Sequence, residues 1–217
     1  MKKTVAIILI ALSIITTASC SKKAEDSKMT NNTLSVAQAQ ADESLFSKVC
    51  SADEALAEAK NSDTVVIEFH GCSHGKKVWK NFVEKANSGT PASVLCAHYY
   101  ELDKAHVSNE LYQQEKDNYP VLYFYLLEYD GKEFTVSIRD SKSAENESKE
   151  TYKYLLHMTG EAPETATVRE YDRYVLADDD SLTWEEIERN MVSSILQEPI
   201  RHCSVYDDYD NFYGDDV

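Results

Sequence analysis

The sequence has few basic residues, no C-x-x-C pair and no internal repeat. It carries 22 Lys and Arg residues against 38 Asp and Glu residues, which gives a formal net charge of −16. Such a surface repels phosphate backbones and anionic headgroups, which argues against nucleic acid as a partner and against electrostatic docking to a membrane. His70 and His74 bracket Cys72, but they leave the fourth ligand of a zinc site unexplained. We therefore expect neither a metal nor a cofactor.

The first residues, 1–19, have the pattern of a signal peptide. Lys2 and Lys3 precede an apolar stretch that is shorter than the ~20 residues a membrane-spanning helix needs, and small residues then lead to Cys20. This arrangement resembles a bacterial lipoprotein signal, in which the cysteine becomes the lipidated first residue of the mature chain. The resemblance implies an extracytoplasmic protein of the cell envelope, attached to the membrane only through the lipid on Cys20. Ordinary cleavage and an uncleaved anchor are the alternatives.

Composition divides the mature chain into three parts, with room for one domain of ordinary size. Residues 20–44 are polar and lack an apolar period, which is typical of a flexible tether. Residues 45–160 carry the patterns of a folded domain. The C-terminal extension, 161–217, is charged, and a capping box at Thr183 predicts one helix at about 184–197.

The end of the chain, from Val205 onwards, alternates Tyr and Asp. We interpret it as a solvated acidic tail. A calcium site formed by Asp208, Asp210 and Asp215 is the less favoured alternative, because their spacing does not fit the usual calcium-binding loop.

The domain at 45–160 is predicted to alternate strands and helices. After a first helix that begins with a capping box at Ser51, the order is strand, helix, strand, helix, strand, hairpin strand, helix, with the last helix at about Lys149–Met158. Such alternation implies crossover connections, and the closing hairpin makes the sheet mixed. The predicted fold class is therefore α/β with a mixed central sheet.

Three features of this domain resemble the thioredoxin fold. They are the strand TVVIEF at 64–69, the tetrapeptide Cys72-Ser73-His74-Gly75 at the predicted start of a helix, and Tyr119-Pro120 before an apolar strand. The resemblance implies a three-layer fold in which Pro120 follows a cis bond, lies against Cys72 and holds the backbone of a substrate. It also implies that Glu68 is a buried acid able to assist proton transfer, and a solvated carboxylate at the edge of the strand is the alternative.

Gly75 stands where the family has its second active-site cysteine. A lone thiolate stalls at the mixed disulfide unless another thiol resolves it, so two-cysteine oxidoreductase activity is not expected. Cys72 is either reactive, because a helix N-terminus favours its thiolate, or inert and structural. The close pair of glycines at 71 and 75 predicts a tight turn and the close approach of another backbone.

The remaining cysteines of the domain and extension allow several pairings. Cys96 is expected to be a small buried hydrophobic residue, although a bridge to Cys72 is an alternative. A disulfide between Cys50 and Cys203, which would clamp the C-terminal helix to the domain, is the favoured pairing.

These features leave three functions open. Cys72 could exchange disulfides with protein or small-molecule thiols as a single-thiol site. Alternatively, the domain is a non-catalytic module that binds an extended peptide segment, having lost redox function with the second cysteine. A third, weaker interpretation is a surface lipoprotein whose acidic extension is the working part.

Overall fold

The computed structural model describes residues 43–105, 107–143, 145, 147–162, 168–193 and 198–212. The predicted signal peptide, Cys20 and nearly all of the predicted tether lie outside these residues. Within them, no helix is both long enough and apolar enough to cross a membrane.

The described residues form five helices and nine strands. The helices are α1 Glu43–Ser47, α2 Ala52–Ala59, α3 Lys76–Asn87, α4 Asn109–Glu115 and α5 Trp184–Val192. The strands are β1 Val65–Glu68, β2 Gly71–His74, β3 Ala92–Tyr100, β4 Val121–Tyr129, β5 Phe134–Asp140, β6 Ser148–Tyr152, β7 Tyr154–Glu161, β8 Val168–Ala177 and β9 His202–Phe212.

All nine strands belong to one mixed sheet, in the order β6-β5-β4-β3-β1-β2-β9-β8-β7. Strands β1 and β3 are parallel, with Val65 opposite Cys96, and α3 makes the crossover between them. The other neighbouring pairs are antiparallel. The structure thus confirms the predicted α/β class with a mixed sheet.

The sheet is curled, so strands far apart in its order come into contact. Only Lys153 separates β6 from β7, and one bent segment therefore supplies both edges of the sheet. Arg201, which directly precedes β9, donates to the carbonyl of Thr151 in β6 at 2.8 Å. On the other side, a ring nitrogen of His98 in β3 lies 3.2 Å from the carbonyl oxygen of Val205 in β9.

Two apolar cores lie on opposite faces of β1 and β3. On one face, α3 buries Trp79 and Phe82 against the sheet, as its apolar stripe predicts. On the other face, α1 and α2 bury small and apolar residues such as Ala55 against β3 and β4. Side chains such as Phe82 each contribute ~1.5–3 kcal/mol by leaving water. The central strands therefore have helices on both sides.

The predicted last helix of the domain, Lys149–Met158, is wrong, because this segment forms β6 and β7. Tyr152 is buried in the core that contains α3, whereas Met158 is buried against α5. The spacing of Tyr152, Leu155 and Leu156 fits one face of a helix, but each half of the segment instead pairs with a strand, β5 or β8. Strand pairing across the sheet therefore overrides the local pattern.

The C-terminal extension is part of the same sheet, which corrects two further predictions. Residues 161–180 contain β8, whereas the sequence predicted only a charged segment before the helix. The supposed solvated tail contains β9, in which Val205 and Tyr206 are buried. Tyr206 and Tyr209 are three residues apart, so the Tyr and Asp residues do not follow the period of two that would have indicated a strand. Residues 213–217, including Asp215 of the possible calcium site, lie outside the described residues.

The helix of the extension begins where it was predicted to begin. The Thr183 side chain accepts from the backbone N–H of Glu186, whose carboxylate accepts from the backbone N–H of Thr183, which completes the capping box. The helix ends at Val192, and residues 194–197 lie outside the described residues. The capping box at Ser51 is also formed, at the start of α2.

Candidate functional site

Cys72 lies in a strand and not at the start of a helix, so its predicted position was wrong. Phe69 and His70 form a two-residue turn after β1, and the chain returns as β2, with Ile67 opposite Cys72. Helix α3 begins only at Lys76, after this hairpin. Cys72 therefore lacks the helix N-terminus that was expected to favour its thiolate.

The two glycines that flank Cys72 allow other backbone segments to approach closely, as predicted. Gly71 has a φ of +91°, and a Cβ atom there would lie 2.7 Å from the Cα of Asp208, its partner in β9. Gly75 has a φ of +80°, and a Cβ atom there would lie 2.6 Å from the carbonyl oxygen of Thr64. The fourth position of the tetrapeptide, where the family has its second cysteine, thus lies against backbone and leaves no room for a cysteine side chain.

The Cys72 thiol is enclosed, because only 5% of the residue is exposed. Its Sγ atom donates to the carbonyl of His74 at 3.2 Å. Burial raises the pKa of Cys72, the Asp208 carboxylate adds to this rise, and the hydrogen bond with Tyr206 opposes it without outweighing it. The thiolate, which is the nucleophilic form, is therefore disfavoured.

Cys96 is buried in β3, where burial raises its pKa above the ordinary value. Strand β1 lies between β3 and β2, so Cys96 and Cys72 are two strand spacings apart, or ~9.6 Å. A disulfide requires Cα atoms within about 6.8 Å. Cys96 therefore cannot act as a resolving partner for Cys72 without movement of the backbone.

The favoured disulfide between Cys50 and Cys203 is not formed, and both residues carry free thiols. Cys50 packs into the core of α1 and α2, whereas Cys203 packs into the core on the opposite face of the sheet. The sheet itself separates them. Strand pairing between β8 and β9 attaches the extension to the domain in place of a covalent clamp.

Glu68 does not lie on the same face as the Cys72 thiol. Ile67 packs into the core with Cys72, so the alternation of the strand directs Glu68 towards α2, where Lys60 binds its carboxylate at 2.8 Å. Burial raises the pKa of Glu68, but the hydrogen bonds from Lys60 and Ser73 outweigh burial and lower it. Glu68 is an ion-paired carboxylate, and the geometry gives no support to a proton relay to Cys72.

Pro120 follows a cis peptide bond, as the resemblance implies. Pro120 directly precedes β4, which is separated from β2 by both β3 and β1, so Pro120 and Cys72 are about three strand spacings, or ~14 Å, apart. The expected contact between the proline and the cysteine is therefore absent.

An open cavity of about 430 Å³ lies beside the β1–β2 hairpin. The hairpin, the end of β3 and part of β9 form its walls. Its aromatic residues are Phe69, Tyr99 and Tyr209, with His70 beside them, and its charged residues are Glu68, Lys76, Glu101 and Asp208. Gly71, Cys72 and Ser73 complete the lining. Two of these lining residues, Lys76 and Asp208, form an ion pair with Nζ and Oδ2 2.5 Å apart.

Only part of this cavity could be predicted from the sequence. Sequence patterns identified Cys72 and Glu68, and the parallel pairing of β1 and β3 would have placed Phe69 and Glu101 at the same end of the sheet. The contribution of Asp208 and Tyr209 could not be found, because the pairing of β2 with β9 joins segments more than a hundred residues apart.

The chain matches no family model, no curated protein and no solved structure. Among the residues that the structure describes, no group of three His, Cys, Asp or Glu side chains could hold a metal ion. Fold and site together define a mixed α/β protein with a buried cysteine beside an open, partly aromatic cavity.

Proposed function

We propose that the protein is a non-catalytic binding module that holds an extended peptide segment at the cavity beside the β1–β2 hairpin. The observation that carries this proposal is the difference in exposure between two residues that line the same cavity. The Cys72 thiol is enclosed, whereas 62% of Phe69 is exposed at the same cavity. Exposed aromatic side chains beside a cavity are typical of binding sites, and aromatic residues supply much of the energy of protein interfaces.

Single-thiol exchange through Cys72 is the second candidate, and one observation favours it: Cys72 contributes to the cavity lining. Exchange needs an accessible thiolate and a second thiol to release the mixed disulfide. Burial and the raised pKa oppose the first requirement, and the distance to Cys96 opposes the second. The binding module is therefore the better supported function.

We also propose that the module belongs to the thioredoxin-like class and is held at the cell envelope. The parallel β1–α3–β3 crossover and the helices on both faces of the central strands support the class. The surroundings of Cys72 depart from what the resemblance implies, because β2 and β9 are added beside β1. The N-terminal pattern that ends at Cys20 supports attachment through a lipid, outside the cytoplasm.

An NMR titration tests the binding function. The ¹⁵N-labelled protein is titrated with a set of blocked pentapeptides of varied composition, and the amide signals of residues that line the cavity are followed. We expect shifts at Phe69 and Tyr209, and about tenfold weaker binding in Phe69→Ala, since loss of an interface aromatic residue costs more than about 1 kcal/mol. Met191→Ala removes an equally apolar, 54% exposed side chain on α5 and should leave the affinity unchanged.

Two results would overturn the proposal. One is the absence of shifts at the cavity with every peptide at millimolar concentration. The other is a Cys72 thiol that reacts with iodoacetamide in the folded protein as fast as in urea, as measured by mass spectrometry of the peptide that contains it. Rapid labelling together with trapped mixed disulfides at Cys72 would favour the single-thiol function.

A further inference from the structure

We infer that the ligand residue held in this cavity is cationic, a Lys or Arg side chain with an apolar neighbour in a partner polypeptide. This inference rests on the proposed function and adds the chemistry of the peptide to it. It follows from two observations: most carboxylates of the cavity already have a salt-bridge partner, and the hydroxyl groups of its tyrosines already form hydrogen bonds, which leaves mainly the aromatic rings for a ligand.

Two of the three carboxylates of the cavity are already paired. Lys60 binds Glu68, and Lys76 binds Asp208. Glu101 is exposed at the end of β3, and within the described part of the chain it has no salt-bridge partner. A ligand with a positive charge would supply the missing partner of Glu101.

Of the aromatic residues that line the cavity, Phe69 is exposed and Tyr209 is half-buried, whereas Tyr99 is buried, and few of their polar groups are free. The hydroxyl of Tyr99 donates to Asp53 at 2.8 Å, and the hydroxyl of Tyr209 accepts from Arg173 at 3.4 Å. Phe69 has no polar atom in its side chain. Aromatic ring faces attract ammonium and guanidinium groups and also pack against the apolar stem of Lys or Arg.

An anionic ligand does not suit this arrangement. Lys76 is held by Asp208, so its charge is largely compensated, and the carboxylate of Glu101 together with the net charge of −16 repels anions. The cavity volume of about 430 Å³ holds one long side chain and part of a neighbour, within the ~300–1,000 Å³ range of ligand sites. The mostly exposed Phe69 is in reach of an apolar residue next to the cation.

The experiment compares two blocked pentapeptides in the same NMR titration. One is acetyl-Ala-Leu-Lys-Leu-Ala-amide, and the other carries Nε-acetyl-lysine at its centre, which keeps the stem and removes the charge. Blocked single lysine is the third probe, and separates recognition of a peptide from recognition of any amine. We expect the charged peptide to bind about fivefold more tightly than the acetylated one, since an exposed ion pair or cation–π contact contributes up to ~1 kcal/mol.

Matched variants assign the effect to Glu101. Glu101→Gln should remove most of the preference for the charged peptide. Glu133→Gln makes the same change of charge in the turn between β4 and β5 and should leave the preference intact. Added salt should weaken the charged peptide more than the acetylated one, because exposed charges are screened.

Different results would contradict the binding function and the preference for a cationic residue. If both peptides bind equally and Phe69→Ala weakens both, the binding function stands and the cationic preference is wrong. If blocked lysine binds as tightly as the charged peptide, the cavity recognises an amine and not a peptide, which overturns the inference as stated. If no probe shifts the signals of the cavity, the proposed function fails as well.

Discussion

Gly75 shows how one residue decides between a redox motif and a structural turn. Its Cβ position is 2.6 Å from the carbonyl oxygen of Thr64, which directly precedes β1, so any side chain would displace the backbone. We expect Gly75→Ala to lower the free energy of unfolding by more than ~3 kcal/mol, because the strain of the left-handed conformation adds to the clash. Restoring a C-x-x-C pair through Gly75→Cys should be equally destabilising.

Gly89 provides the matched control for this prediction. Its φ is +72°, but nothing lies within 4 Å of the Cβ position. Gly89→Ala should therefore cost only the conformational strain, ~1–2 kcal/mol. Urea unfolding of both variants gives the comparison, and equal losses of stability would show that the backbone contact at Gly75 is not tight.

His98 makes stability depend on pH. It is buried, its ring nitrogen binds the carbonyl of Val205, and burial lowers its pKa from 6.5 to about 4. Because the unfolded chain takes up the proton first, stability is full above pH 6.5 and falls as the pH drops towards 4. The loss from this residue is ~3 kcal/mol.

The variant His98→Gln isolates this contribution. Glutamine keeps a donor for Val205 but does not titrate, so the stability difference between the wild-type protein and the variant should shrink between pH 6.5 and pH 4. Urea unfolding at several pH values measures it. A constant difference over this range would mean that His98 does not titrate with a depressed pKa.

At the level of elements, β9 contributes to the core although its sequence did not predict a strand. Tyr206 is 5% exposed and stacks on Trp79 with ring centroids 4.7 Å apart. We expect Tyr206→Ala to cost ~3–5 kcal/mol, as for other buried aromatic residues. Tyr154→Ala, at a position that is 38% exposed, should cost less than ~1 kcal/mol. If Tyr206→Ala lowered the free energy of unfolding no more than Tyr154→Ala does, β9 would not be part of the core.

Elements with local signals could be predicted from the sequence, and elements that depend on distant pairing could not. The capping boxes, the apolar stripe of α3 and the β4–β5 hairpin each depend on residues within one turn or one strand. Strand β8 has Arg173 at a buried position, and this charged residue interrupts the apolar pattern that would indicate a strand. That charge is tolerated because Asp207 in β9 binds it at 3.1 Å and the Trp184 ring lies 3.7 Å away. Both partners are contributed by other elements.

Only the part of the candidate site that depends on local sequence signals could be predicted. Phe69, Cys72 and Glu101 lie on or directly after predicted strands, so their shared end of the sheet follows from the parallel pairing of β1 and β3. Asp208 joins them only because β9 pairs with β2, and this pairing also encloses Cys72. The pairing of β2 with β9, which was interpreted as a tail, is therefore the reason that the burial of Cys72 could not be predicted.

At the scale of the whole molecule, the negative charge and the proposed lipid on Cys20 have separate roles. A surface with a net charge of −16 is repelled by anionic headgroups, so we expect membrane attachment to come from the proposed lipid. We expect the wild-type protein in the membrane fraction and Cys20→Ser in the soluble or uncleaved form, with cell fractionation and the mass of the mature N-terminus as the measurements. Cys50→Ser removes a cysteine without touching the signal and should stay with the membrane. Membrane attachment that survives in Cys20→Ser with the leader removed would contradict the proposed lipid anchor.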